Sequence, residues 1–335
     1  MPDKMQRDNM YSPVIGELPP YLVALKLREM GDVYTALNIE NSINMLNSRD
    51  IPTDANMHSM SADMKTFSQD ESGLFTGWGW PFDKNPAPYM CTSHAFGFIP
   101  ASSKANKNGS IEIKHAGNIE PDTSLKNSRI KITLDRLRVA KYPGSGMHNI
   151  LFDFSAQNQL KENAENLHFN QMYRAQEGQQ VGLINYPIFI GLNVGANGVD
   201  FKCDTVNVKN DNDEAILNFL DSDPFKAGLK LVNTAQPAIA PLTGLAVGLT
   251  TMIAKRTQNV RVQSISMGLD FSSVPTGARL AEGSYIAVQV CDESKWNWDE
   301  WVFNFNSGQI VNKADPGKMV PWNYLVFGVQ KYQDS

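Results

Sequence analysis

From Leu74 onward, apolar side chains recur at every second residue. Successive side chains on a strand point to opposite faces, so this alternation marks half-buried β-strands. Candidate strands cover residues 74–80, 94–99, 110–115, 129–141, 147–155, 181–194, 199–208, 260–271, 284–291, 300–305 and 320–331. Val, Ile, Phe and Tyr dominate them, and Gly, Pro, Asn or Asp separate them, as strand and turn chemistry requires. Asn197-Gly198 is a tight-turn signal. The pattern predicts a mainly β chain, an antiparallel β-sandwich or jelly-roll-like pair of sheets.

Two strands change parity partway. Ile130, Ile132 and Leu134 give way to Leu137 and Val139, and Val260 and Val262 give way to Ile265, Met267, Leu269 and Phe271. A one-residue slip would turn the apolar set to the wrong face, so each flip predicts a bulge or a strand that changes sheets. The strand Arg129–Tyr142 loosely resembles the opening of C2-type sandwiches. No calcium-loop motif accompanies it, so no residue role is carried over.

The β pattern is preceded by one helical region and interrupted by another. Pro19-Pro20 opens a short helix that stops at Gly31, and Asp32 can cap a second through about Asn47, with Val33, Ala36 and Leu37 on one side. This helical hairpin is either a cap on the main domain or a docking segment. Residues 1–72 are therefore read as a helical segment plus linker, and 73–335 as one or two sandwich domains. A helical insertion is expected at about 211–257, opened by the capping-box spacing of Asp211 and Glu214 and by Ser222-Asp223-Pro224.

Within that insertion, residues 231–254 carry no charge. Pro241 limits the helical body to residues 242–254, about 20 Å long, short of the roughly 30 Å of a bilayer core. Leu242, Leu245, Leu249, Met252 and Ile253 fall on one side, and Gly244, Gly248 and Thr251 on another. The small face permits close packing in a core, or helix pairing in a membrane. Length favours the core; a membrane-active, pore-forming or lipid-associating protein is the alternative.

Net charge is −5, and no basic cluster offers a phosphate surface, which disfavours nucleic-acid binding. Cys91, Cys203 and Cys291 are odd in number and far apart, so reduced thiols are expected. With no apolar leader-like segment at the N-terminus, the reading is a cytoplasmic protein.

Catalytic signatures are lacking. His58, His94, His115, His148 and His168 form no zinc-binding spacing, and neither G-x-S-x-G nor a P-loop occurs. His148 and Asp153, five apart in one strand, should face opposite ways. Cys91 stands three residues before His94, weak grounds for a dyad, and whether Cys91, His94 and His148 converge is left open. No cofactor is expected; calcium is the one candidate, through Asn210–Glu214 and Asp221–Asp223, and helix capping explains those residues as well. Trp296, Trp298 and Trp301 offer either an aromatic binding surface or ordinary core packing, and large aromatics usually go inside. The expected function is a non-enzymatic binding or assembly protein that recognises a protein partner or itself. A carbohydrate-binding module or glycan-acting hydrolase is the third reading.

Overall fold

The computed structural model describes residues 12–47, 86–159, 164–209, 229–231, 249–272 and 277–333. Helices α1 (Pro20–Glu29) and α2 (Val33–Asn47) come first. The strands that follow are β1 (Ser93–Pro100), β2 (Ser110–Glu112), β3 (Lys114–His115), β4 (Arg129–Arg138), β5 (Met147–Gln159), β6 (Ala164–Gln176), β7 (Tyr186–Asn193), β8 (Gly198–Val208) and β9 (Leu229–Lys230). After a helix at 249–254, here α3, come β10 (Asn259–Asp270), β11 (Ala278–Arg279), β12 (Gly283–Val290), β13 (Trp301–Asn304), β14 (Gln309–Asn312) and β15 (Tyr324–Lys331).

Among the described residues these strands build three mostly antiparallel sheets. A seven-stranded sheet runs β3-β1-β12-β15-β4-β7-β9, a five-stranded sheet β11-β10-β8-β5-β6, and a small sheet β14-β13-β2. The two large sheets enclose the main core, which includes Ile132, Leu134, Phe152, Phe154, Phe169, Phe189, Phe201, Val262 and Phe327. A second core lies between the other face of the seven-stranded sheet and the small sheet, with Ile113, Ile286, Val288, Trp298, Trp301, Ile310 and Val326. The outer face of the five-stranded sheet carries Leu151, Val206 and Val208, covered by Ile253 and Ala254 of α3.

Both parity flips are β-bulges. In β4, Leu134 pairs with Phe327 and Arg136 with Val326, so Asp135 is the extra residue. In β10, Arg261 pairs with Val206 and Gln263 with Thr205, so Val262 is extra. Each inserted residue restores the inward face, which is why Leu134 and Leu137, or Val262 and Ile265, share one core. Asn197-Gly198 sits in the turn into β8, where Gly195 and Gly198 exchange backbone hydrogen bonds.

Several expectations change. No strand was expected at 164–176, yet β6 pairs with β5 from Gln159↔Ala164 to Met147↔Gln176. It buries Leu167, Phe169, Tyr173 and Ala175, but Gln171 interrupts this row, and the other row is mostly polar, with Met172 packed on the outer cluster. The region around 211–257 is not wholly helical: Leu229 and Lys230 form β9, parallel to β7. Its α3 stretch buries Thr250, Ile253 and Ala254 and exposes Met252, so Met252 does not share the inward side with Ile253. In α2 only Ala36 of the expected trio is buried, whereas Val33 and Leu37 are exposed. Cys91 and Cys291 are joined by a disulfide, and Cys203 is free and buried. The antiparallel pairing of Ser93 with Val290 brings the two cysteines together across 200 residues of sequence. This corrects the expectation of reduced thiols, which spacing alone supported, and removes the cysteine argument for a reducing compartment.

Candidate functional site

The N-terminal hairpin is built from its turn outward. Gly31 adopts φ +83°, a left-handed conformation that costs glycine least. Asp32 donates its backbone N–H to the Leu27 carbonyl at 2.8 Å and accepts the Thr35 N–H on its side chain at 3.2 Å, capping α2. One face of the hairpin is anchored: Val23, Ala24, Leu27, Met30 and Ala36 join the main core, and the Lys209 ammonium reaches the Met30 carbonyl at 3.3 Å. The other face leaves Tyr21, Leu25, Val33, Tyr34 and Leu37 exposed. They are five of the ten exposed large hydrophobics among the described residues, within a span of seventeen positions. Arg28 Nη2 donates to both carboxylate oxygens of Glu40, at 2.8 and 2.6 Å, and links the two helices.

A second feature gathers the tryptophans. Two 3-10 turns, Glu293–Lys295 and Trp298–Glu300, lie between β12 and β13. Asp292 accepts the Ser294 N–H at 3.1 Å, and Asn297 accepts the Asp299 N–H at 3.0 Å. These side-chain-capped turns bring Trp296 edge-on to Trp298, at 5.3 Å between centroids, and parallel to Trp301 at 5.6 Å. Trp298 and Trp301 are 6% and 9% exposed, and Trp296 is half-buried. Gly97 is required for this seat, since a Cβ there would lie 2.7 Å from the Trp298 ring and from Ile113. The tryptophans border a groove of about 410 Å³ where the chain passes from β2 of the small sheet to β3 of the seven-stranded one. Its other walls carry Glu112, Asp299, Lys114 and Lys313, together with His115, Asn118 and Asn297. Lys313 pairs with Glu112 at 3.2 Å, and His115 accepts the Gly117 N–H on Nδ1 at 3.0 Å, which leaves Nε2 to carry the neutral ring's proton. The indole N–H groups of Trp296 and Trp298 are buried without a hydrogen-bond partner.

A buried polar cluster lies under α3. Asp153 and Asp204 stand opposite each other on β5 and β8. The Thr250 hydroxyl donates to Asp153 at 2.7 Å and accepts from Asn170 at 3.1 Å. His168 Nδ1 is 3.3 Å from Asp153, and Arg261 is 3.7 Å from Asp204. Burial holds the Asp204 carboxyl above its ordinary range, opposed by Arg261 and Lys202 and reinforced by Asp153. Sequence reading missed this cluster because it assigned no strand to 164–176, so His168 and Asn170 had no place beside Asp153. The alternation of Leu167, Phe169 and Tyr173 was the available signal.

The remaining predicted residues divide. Gly244 and Gly248 lie outside the described residues, as do Asn210–Glu214 and Asp221–Asp223, the calcium candidates. Thr251 is partly buried on α3. Among the described residues no group of three His, Cys, Asp or Glu side chains is placed to hold a metal, and no helix is long and apolar enough to cross a membrane. Cys91 is consumed by its disulfide. His94 lies on β1 and His148 on β5, in different sheets. His148 abuts Tyr142 at 5.9 Å and Asn207 at 3.2 Å, while Asp153 meets His168 instead. Burial lowers both buried histidines to about 4; Lys209 adds to the effect on His148, and Gln263 opposes it at His94. Comparison of the chain with family models, with curated proteins and with solved structures yields no match.

Proposed function

We propose that this chain is a non-enzymatic binding or assembly protein that engages a protein partner with the outer face of its N-terminal hairpin, held on the β-sandwich. The observation that carries the reading is the second apolar face of that hairpin. A helix that only caps a domain needs one apolar stripe. Here Val23, Leu27 and Ala36 supply that stripe, while Tyr21, Leu25, Val33, Tyr34 and Leu37 remain outside it. Exposed apolar residues gathered in one place mark interaction surfaces, and amphipathic helices commonly dock in partner grooves by side chains spaced three or four apart. Tyr21 and Leu25, and Val33 and Leu37, have that spacing. The Arg28–Glu40 pair provides a polar element of the kind that rims such interfaces.

The test is the double variant Leu25→Glu, Tyr34→Glu. Both side chains are exposed, so stability should stay within about 0.5 kcal/mol of wild type. Self-association by light scattering, and capture of a defined protein from the native host, should both be compared with wild type. Loss of a wild-type complex in the variant supports the reading. A monomeric wild type whose captured proteins are identical to those of the variant rejects it.

A further inference from the structure

We infer that Asn108 is a self-modification site, where the side-chain amide closes on the Gly109 backbone nitrogen and water converts the product to aspartate and isoaspartate. The inference is independent of the hairpin. Asparagine is a thermally labile residue, and this closure is least hindered when glycine follows, because the attacking nitrogen then belongs to a residue with no Cβ. The sequence holds two such dipeptides, Asn108-Gly109 and Asn197-Gly198, and the structure separates them. Both asparagines are exposed. Gly198 is buried at the start of β8. It pairs with Asp270 of β10, exchanges hydrogen bonds with Gly195 at 3.3 and 3.2 Å, and lies against the Leu269 carbonyl with no room for a Cβ. Turning its nitrogen towards the Asn197 side chain would unseat the first pair of the two strands. Gly109 instead precedes β2 in a turn and is half-buried. Its N–H donates to the Asn106 carbonyl at 2.9 Å. The adjoining residues 104–108 are all exposed, so water can take over that bond while the nitrogen turns. Among the described residues the Asn108 side chain is held by no hydrogen bond.

The step balances with water as the only co-reactant. The Gly109 nitrogen gives its proton to solvent and bonds to Cγ of Asn108. The Cγ–Nδ2 bond breaks, and Nδ2 leaves as ammonia with a proton taken from solvent. Water then opens the cyclic imide. Cleavage at Cγ leaves aspartate; cleavage at the main-chain carbonyl carbon leaves isoaspartate, whose chain runs through Cβ and Cγ. Isoaspartate thus adds a methylene to the main chain inside a turn closed at fixed length. Asn106 Oδ1 accepts the N–H groups of both Asn108 and Ser110 at 2.9 Å. The Asn106 N–H donates to the Ser110 carbonyl at 2.9 Å, and the Gly109 carbonyl accepts the Phe305 N–H at 2.8 Å. These bonds seat β2, only three residues long, against β13. The modification therefore loosens the edge of the small sheet that roofs the second core.

The test incubates the full folded chain in mildly alkaline buffer made with water labelled in its oxygen, followed by peptide mapping with mass spectrometry. Conversion should centre on the peptide containing Asn108, take up solvent oxygen, and yield a substrate for an isoaspartyl methyltransferase. In guanidinium, where the chain is unfolded, the two dipeptides should convert at similar rates. In the folded chain Asn108 should lead Asn197 by roughly tenfold or more, the difference between an exposed turn and a paired strand. The Phe305 amide should exchange hydrogen faster in the converted chain than in fresh protein. Asn108→Gln keeps an exposed amide but requires a larger ring, and should abolish conversion in that peptide. No conversion at Asn108 while the unfolded chain converts, equal conversion at Asn197 in the folded chain, unchanged Phe305 exchange after conversion, or persistence of the signal in Asn108→Gln overturns the proposal.

Discussion

The two cores of this protein face the same central sheet and are built differently. The main core is closed by five strands on one side and seven on the other, and its phenylalanines interlock. Phe154 alone lies 5.4 Å from Phe201, 5.9 Å from Phe327 and 6.1 Å from Phe189. The second core is roofed by strands of only three or four residues. Tryptophans make up part of it, Trp296 is left half-buried, and two indole donors go unpaired. The first core encloses its aromatic rings fully; the second leaves part of one, Trp296, at the surface.

The largest expected effect tests the closed side. Phe154→Ala should cost about 3–5 kcal/mol in chemical denaturation, because two large sheets cannot collapse into the space it leaves. Trp296→Ala, at a half-buried ring, should cost about 2 kcal/mol. Equal costs would break the distinction between the cores.

Next comes the covalent tie between β1 and β12, the strands that back both cores. Cys91→Ser with Cys291→Ser should lower stability by about 2–4 kcal/mol by freeing a long loop in the unfolded chain. Wild type should show the same loss in reductant and the double variant none. A wild type indifferent to reductant would remove the bridge from the account.

A smaller effect is pH-dependent. His94 and His148 are held near 4 when folded against an ordinary value of about 6.5. Above about 6.5 both are neutral in either state, and their contribution is complete. As pH falls towards 4, the unfolded chain takes up protons that the folded chain refuses, so stability is lost, of order 1–3 kcal/mol per histidine. Asp135 and Asp204, raised by burial, act in the opposite sense, because their folded forms hold protons more firmly. The check is therefore differential: His94→Gln and His148→Gln should each flatten the slope of stability between pH 6.5 and 4.5. Slopes identical to wild type would show that the histidines do not report burial at this end of the sandwich. The smallest expected effect is on the hairpin, where Leu25→Glu with Tyr34→Glu should leave stability nearly unchanged while removing association.

Legibility followed physical range. The alternation was readable because a strand imposes a period of two on its own residues, and the parity flips were readable because an inserted residue reverses that period locally; only the pairing showed them to be bulges, at Asp135 and Val262. The turn at Gly31 and the cap at Asp32 were equally local. β6 escaped because Gln171 interrupts its inward row. Trp296 and Trp298 alternate in sequence as strand residues would, yet Trp298 opens a 3-10 turn capped by Asn297 and Trp296 closes the one capped by Asp292.

By itself, then, the sequence determined the β class, the N-terminal hairpin and the two parity flips, since each is written within a dozen neighbouring residues. Tertiary structure decided the rest. Pairing of β1 with β12 brought Cys91 to Cys291, pairing of β5 with β6 and β8 gathered Asp153, His168 and Asp204, and the short third sheet placed the tryptophans beside a groove. Each of these depends on which distant strand becomes a neighbour, and local periodicity carries no record of that.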